Sequence, residues 1–319
     1  MRISTAREIK AQLLSDATVL AAEAEVAPVP GRTDVAVGVG LLGVRRYGVA
    51  VRFSQGSPLS GEMVARGLAL AGDDCDIREV GAVRPQQWTP EDLQARSRPL
   101  RPGLSVAHVA VTAGTIGAFV SSAEDGAVLV LSNNHVLADS DRASAGDVVV
   151  QPGPADGGSV GGDRIGVLHR AVPLRLGGTN VVDGATATVD EGVDVEIAHP
   201  AGMLAGWVAA DDDDHVEKVG RTTGLTRGRI TAIELDGLRV EYPVGTVSFD
   251  DQIEVTGDGP GPFSAGGDSG SVVYAPDRLR AVGLLFAGSE RGGPEGQGLT
   301  YCNPFGVVLD QLGVRLMQP

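Results

Sequence analysis

The chain has 319 residues, of which 42% are hydrophobic and 46 are glycine, with a formal net charge of −15 and a pI near 4.7. That length has room for roughly two domains, and the acidic balance argues against nucleic acid or an anionic membrane as a main partner, because phosphate recognition needs clustered Lys and Arg. Only two lysines occur, Lys10 and Lys218. No run approaches the roughly 20 apolar residues of a membrane span.

The opening "MRISTAREIKAQLLSDATVL" predicts an amphipathic helix, with charges where a secretory signal would have a continuous apolar stretch. Cys75 and Cys302 are far apart and read as reduced thiols. Together these features predict a cytoplasmic protein. "TDVAVGVGLLGVRRYGVAVRF" follows, two alternating apolar runs around a turn, which predicts a hairpin. "SGEMVARGLAL" predicts a helix and "DIREVGAV" another strand. Gly38, Gly40 and Gly43 have the spacing of a dinucleotide-binding loop, but that site needs a helix directly after its last glycine. Strand-like "YGVAVRF" stands there instead, so no nucleotide is expected. The polar, Pro-rich segment Gln94–Gly103 predicts a linker. The chain then divides into a small α+β module over 1–100 and a second domain over 101–319.

From Ser105 onward, short apolar runs such as "AVLVLSN", "DVVVQPG", "GRITAIEL" and "SVVYAP" alternate with Gly, Pro and Asp. Evenly spaced short strands of this kind predict an all-β barrel or sandwich. The end differs. "NPFGVVLDQLGVRL" predicts a C-terminal helix with Asn303 as N-cap and Pro304 as its first residue. The four acids Asp211 to Asp214 read as a solvated loop, without the alternating oxygen ligands and turn glycine of a calcium site. Neither a metal nor a cofactor is expected.

Two segments carry the chemistry. "FSAGGDSGSVV", Phe263 to Val273, places Ser269 among glycines, where it could be a nucleophile or only the polar tip of a turn. "LVLSNNHVLAD" places His135 just after an apolar strand, at the end where a barrel opens. A serine nucleophile needs a base to take its proton and a carboxylate to fix the imidazole tautomer. Asp183, Asp190 and Asp194 all lie between the two segments. The chain order His, Asp, Ser is that of an arrangement built on two antiparallel β-barrels.

From about Arg101 the chain resembles the trypsin-like serine peptidases of the chymotrypsin superfamily. The strings "TAGTIGAFV", "LSNNHVLAD", "QPGP", "VGRTTGLTRG", "FSAGGDSGS" and "AVGLLFAGS" are similar to those of the group that includes the plant NARROW LEAF 1 protein and its bacterial relatives. The N-terminal "VAVGVG" hairpin shares in that likeness. The resemblance implies a mainly β fold, a chymotrypsin-like double antiparallel β-barrel with a C-terminal helix, preceded by the α+β module.

The same resemblance implies a serine endopeptidase acting through His135, Asp183 and Ser269. "NVVDGATATV" matches the family's acid-bearing string, with Gly184 as a departure and Asp194 as the competing acid. The oxyanion hole would be the N–H groups of Gly267 and Ser269. The substrate pocket would have Phe263 as its floor and Leu285, Phe286, Ala287 and Gly288 as walls, favouring apolar or small residues. Asp268 would need a positive partner, and "TAGTIGAFV" shows no activation site that could release one. Homo-oligomerisation through the N-terminal module is the expected means of ordering the loop Gly267–Gly270. Protein or peptide substrates follow from the peptidase reading. The alternative is a protease-fold binding or regulatory protein whose site is inert or gated.

Overall fold

The structure is a computed structural model that describes residues 1–23, 35–44, 46–53, 60–80, 89–211, 215–259, 261–293 and 296–318. The chain separates into two compact units, Met1–Gln86 and Gln87–Pro319.

The first unit contains α1 (Ile3–Glu23), β1 (Val35–Gly43), β2 (Arg46–Phe53), α2 (Ser60–Ala71) and β3 (Cys75–Glu79). β1 and β2 form the expected hairpin, with Val35 opposite Phe53, and β3 runs parallel to β2. Alternation in β2 turns Val49 and Val51 inward, where they meet Leu13 of α1 and Met63 of α2 in a small core. The three spaced glycines lie within β1, and β2 follows them, an arrangement without the helix N-terminus that a pyrophosphate would need.

The second unit begins with α3 (Pro90–Gln94), capped by Thr89 in a capping box with Asp92. The elements then run β4 (Ser105–His108), β5 (Gly114–Thr115), β6 (Ala118–Ser122), β7 (Val128–Ser132), α4 (Asn134–Leu137), β8 (Val148–Val150), α5 (Val160–Asp163), β9 (Arg164–Ala171), β10 (Thr179–Asn180) and β11 (Ala185–Thr188). After them come β12 (His215–Gly220), β13 (Gly224–Leu235), β14 (Leu238–Tyr242), β15 (Gly245–Phe249), β16 (Gln252–Gly257), β17 (Val272–Ala275), β18 (Arg280–Gly288), β19 (Thr300–Pro304), α6 (Phe305–Leu312) and β20 (Val314–Leu316).

An eight-stranded sheet, β20-β6-β7-β11-β9-β8-β4-β5, surrounds one apolar core that includes Val106, Phe119, Val130 and Ile165. Six strands close into a barrel, β12-β13-β16-β19-β18-β17, around Val216, Ile230, Val255 and Val282. The unit is therefore mainly β with two barrel-like halves, as the strand pattern predicted. A third, small sheet, β10-β15-β14, belongs to neither half.

Two local expectations are corrected. Gln94–Gly103 is packed into the second unit and is no linker: Leu100 is fully buried and bridges to Val195, while Arg98 donates to Gln151. Apolar residues among the prolines anchor it, which places the division between the units earlier than residue 100. α6 forms as expected, but its N-cap is Pro304, and Gly313 closes it in the left-handed region at φ 66°. Asn303 is instead a fully buried strand residue whose amide is used at the site described next.

Candidate active site

β7 and β11 are antiparallel neighbours, with Ser132 opposite Ala185. That register brings the residues just after Ser132 and just before Ala185 to the same end of the sheet. His135 lies on α4, a single turn started at Asn133, and its Nδ1 sits 2.6 Å from Asp183 Oδ2. The His135 backbone N–H donates to Asp183 Oδ1 at 3.2 Å. Both carboxylate oxygens are thus directed at one residue, which orients the ring and leaves its Nε2 for other work.

Asp183 is completely buried, whereas His135 is 23% exposed. Burial works to raise the Asp183 pKa. The adjacent imidazole and the hydrogen bonds from His135 and Tyr242 outweigh it and hold the carboxyl below its ordinary range. The backbone here is secured as well. Asn133 Nδ2 donates to the Asp183 carbonyl at 2.7 Å, and the Asp183 N–H donates to Asn303 Oδ1 at 2.9 Å. Asn303 in turn donates to Gln252 Oε1. Asp190 pairs with Arg164, and Asp194 is exposed, its carbonyl accepting from the Leu100 N–H. Neither contacts His135.

Ser269 occupies the loop ahead of β17, and its carbonyl accepts from the Thr115 N–H at 2.8 Å. That contact docks the serine loop against β5, and Ser132 Oγ donates to the carbonyl of the same Thr115 at 2.8 Å. Gly270 has φ 96°, and a Cβ there would overlap Ser132 Oγ and the Thr115 carbonyl, so only glycine lets the loop come this close. Ser269 Oγ is not hydrogen-bonded to His135, whose side-chain partner is Asp183. Catalytic contacts of this type commonly tighten only when substrate is present.

The preceding peptides are pinned by their carbonyls. Gly266 O accepts from Thr222 Oγ1 at 2.7 Å, and Gly267 O accepts from Thr115 Oγ1 at 2.9 Å. Asp268 O accepts from Ser271 Oγ at 2.6 Å. In a trans peptide the N–H points opposite to the C=O it shares a plane with. Holding Gly266 O toward Thr222 therefore aims the Gly267 N–H the other way, and holding Asp268 O aims the Ser269 N–H likewise. Among the described residues neither N–H has a hydrogen-bond partner. Gly267 has φ 96°, and a Cβ would lie 2.6 Å from both Arg221 Nη1 and Thr222 Oγ1.

Asp268 has an internal partner that the sequence reading did not identify. Lys218 Nζ lies 3.3 Å from Asp268 Oδ2, and both side chains are fully buried. Lys218 also donates to Thr223 Oγ1 and to the Gly224 carbonyl, the latter at 3.1 Å. Burial pushes the lysine pKa down, with Asp268 opposing that shift. Asp268 accepts in addition from the N–H groups of Thr222, Thr223 and Ala265 and from Thr223 Oγ1. The available clue was Lys218, one of only two lysines in the chain, in the strand run His215–Gly220.

A cleft of about 450 Å³ opens beside His135, walled by Val111, Arg142, Tyr242, Phe286, Ala287 and Gly288 among others. Its rim includes Asp139 and Ser140, which with Asp141 form three consecutive residues at positive φ. Reciprocal hydrogen bonds between Asn134 and Asp141 hold that turn. Of the five residues expected to form the pocket, Phe286, Ala287 and Gly288 line this cleft. Phe263 and Leu285 are not among its walls; both pack in the closed-barrel core, Phe263 beside Gly228 of β13 and Gly257 of β16, Leu285 on β18.

Among the described residues no group of His, Cys, Asp and Glu could hold a metal ion, and no helix is long and apolar enough to cross a membrane. Asp212–214 lie outside the described residues.

No protein-family model and no curated protein matches the chain. Solved structures similar to it include Thermobifida fusca protease A, at 18% identity over 70% of this chain and all of that one, with a TM-score of 0.48. Nocardiopsis protease matches at 21% over 70% of this chain and all of its own, also at 0.48. A glutamic acid-specific serine protease matches at 22% over 68% of this chain and all of its own, again at 0.48. Likeness at this level assigns no chemistry to the chain, and the functional reading rests on the site itself.

Proposed function

We propose that the chain is a serine endopeptidase of the trypsin-like type, cleaving protein or peptide substrates through an acyl-enzyme. The observation that carries the reading is the pair of unpartnered N–H groups, Gly267 and Ser269, each aimed by a pinned carbonyl and flanking the serine. Each belongs to a tight turn, one closed by the Asp268 N–H on the Ala265 carbonyl and one by the Ser271 N–H on the Asp268 carbonyl, and so is left open to an incoming oxygen beside Ser269. The His135–Asp183 contact at the neighbouring sheet end supplies the base and its orienting acid.

In this mechanism Ser269 Oγ attacks the scissile carbonyl carbon while His135 Nε2 takes its proton. The carbonyl oxygen becomes an oxyanion held by the two N–H groups. Asp183 stabilises the imidazolium, which then protonates the departing amine. Water, deprotonated by His135, attacks the acyl carbon and regenerates the serine. Apolar residues are the preferred occupants of that part of the cleft walled by Val111, Tyr242 and Phe286, while Glu241 and the Asp139–Arg142 pair line its polar part.

The test is labelling with a fluorophosphonate probe, together with casein or peptide hydrolysis. The wild-type chain should label and cleave, while Ser269→Ala and His135→Ala should do neither. Equal labelling and turnover by wild type and both variants, after removal of contaminating proteases, overturns the reading.

A further inference from the structure

Asp183 has a third donor that neither barrel provides. The Tyr242 hydroxyl donates to Asp183 Oδ2 at 2.7 Å, the same oxygen that faces His135 Nδ1. Tyr242 ends β14 in the small third sheet, and β15 of that sheet runs parallel to β10, with Asn180 opposite Phe249. The added hairpin is thereby tied to the chain three residues ahead of the acid. The ring is held from two sides, with its centroid 6.0 Å from that of His135 and 6.1 Å from that of Phe249, which packs on Phe286 at 4.8 Å.

We infer that Tyr242 is a positioning residue of the site, holding the buried carboxylate in the rotamer that grips His135 and solvating its charge in place of water. The inference rests on the serine-peptidase reading. A carboxylate torsion is broad and its two oxygens are equivalent, so packing alone leaves the angle of the carboxylate plane loosely set. The Tyr242 hydroxyl fixes that plane with one oxygen toward His135 Nδ1 and the other toward the His135 backbone N–H. Burial and the neighbouring Asp183 charge push the tyrosine pKa far above its ordinary value, so the group stays a phenol and a donor across the working range. Hydrogen bonding to the ionised Asp183 disfavours proton uptake at the site, and losing that bond makes uptake easier. The other charged groups lining the cleft are Glu241 on β14 and the mutually paired Asp139 and Arg142 on the loop after α4, none of which is altered by removing one hydroxyl.

The experiment compares full-length Tyr242→Phe with wild type by kcat, KM, the pH profile of kcat/KM and thermal denaturation. Losing one hydrogen bond to a charged group predicts a fall in kcat of about tenfold to a hundredfold, with KM held within about threefold. The acid limb of kcat/KM should move to higher pH, by roughly half a unit. Phe249→Leu, which loosens the ring stack but keeps the hydroxyl, should leave that limb in place. An active wild type with Tyr242→Phe matching it in kcat and pH profile overturns this inference alone. A wild type that neither labels nor cleaves overturns the peptidase reading, and this inference with it.

Discussion

Replacing Lys218 by Met keeps the length of the side chain and removes its charge, leaving Asp268 as a carboxylate with no exposure and no cation. Breaking a buried ion pair from one side costs about 3–5 kcal/mol. The low end applies, because Asp268 keeps its three N–H donors and the Thr223 hydroxyl. Those contacts join the β12–β13 turn to the peptides on either side of Gly267, so the cost falls first on the order of that loop. At 1.4 kcal/mol per decade, about 3 kcal/mol lowers the ratio of ordered to disordered loop by roughly a hundredfold, and probe labelling falls by up to that factor. Lys218→Met with Asp268→Asn buries no charge and should regain about tenfold of that loss. Labelling rates are read alongside thermal melts, which separate a disordered loop from an unfolded chain. Wild-type labelling by Lys218→Met, or a double variant no better than the single one, would refute the idea that an internal lysine orders the site.

Asp183→Asn should lower the rate by roughly four orders of magnitude near neutral pH by leaving the imidazole in the wrong tautomer, whereas exposed Asp194→Asn should cost little; peptide hydrolysis distinguishes them. The Asp183 pKa is depressed in the folded chain, so its contribution to stability is present above the unfolded carboxylate value near 4 and is lost as pH falls through the folded value. Wild-type melting temperature should therefore fall more steeply than that of Asp183→Asn below about pH 4. Gly267→Ala must adopt a positive φ and lie against Arg221 and Thr222, and the displaced N–H should cost about a hundredfold to a thousandfold in kcat. Wild-type kcat in Gly267→Ala would show that this N–H holds no developing charge.

Much of this protein is legible one segment at a time. Alternating apolar runs and glycine-rich turns are local patterns, because side-chain direction in a strand follows from the backbone alone, and the strings around His135, Asp183 and Ser269 are legible through their family likeness. They suffice for a mainly β second unit, a helix near the C-terminus and a short slate of candidate residues. The partners of buried polar groups obey no such rule. Tyr242 reaches Asp183 across 59 residues and Asn303 reaches it across 120, through a small extra sheet and a barrel strand whose positions depend on the whole topology. Lys218 stands in the mixed run His215–Gly220 with no partner in view until Asp268 is set beside it, and Phe263 finds its apolar neighbours only when the barrel closes around it. A buried charge or hydroxyl must find its complement wherever the fold places one, and that choice is made only when distant strands have paired.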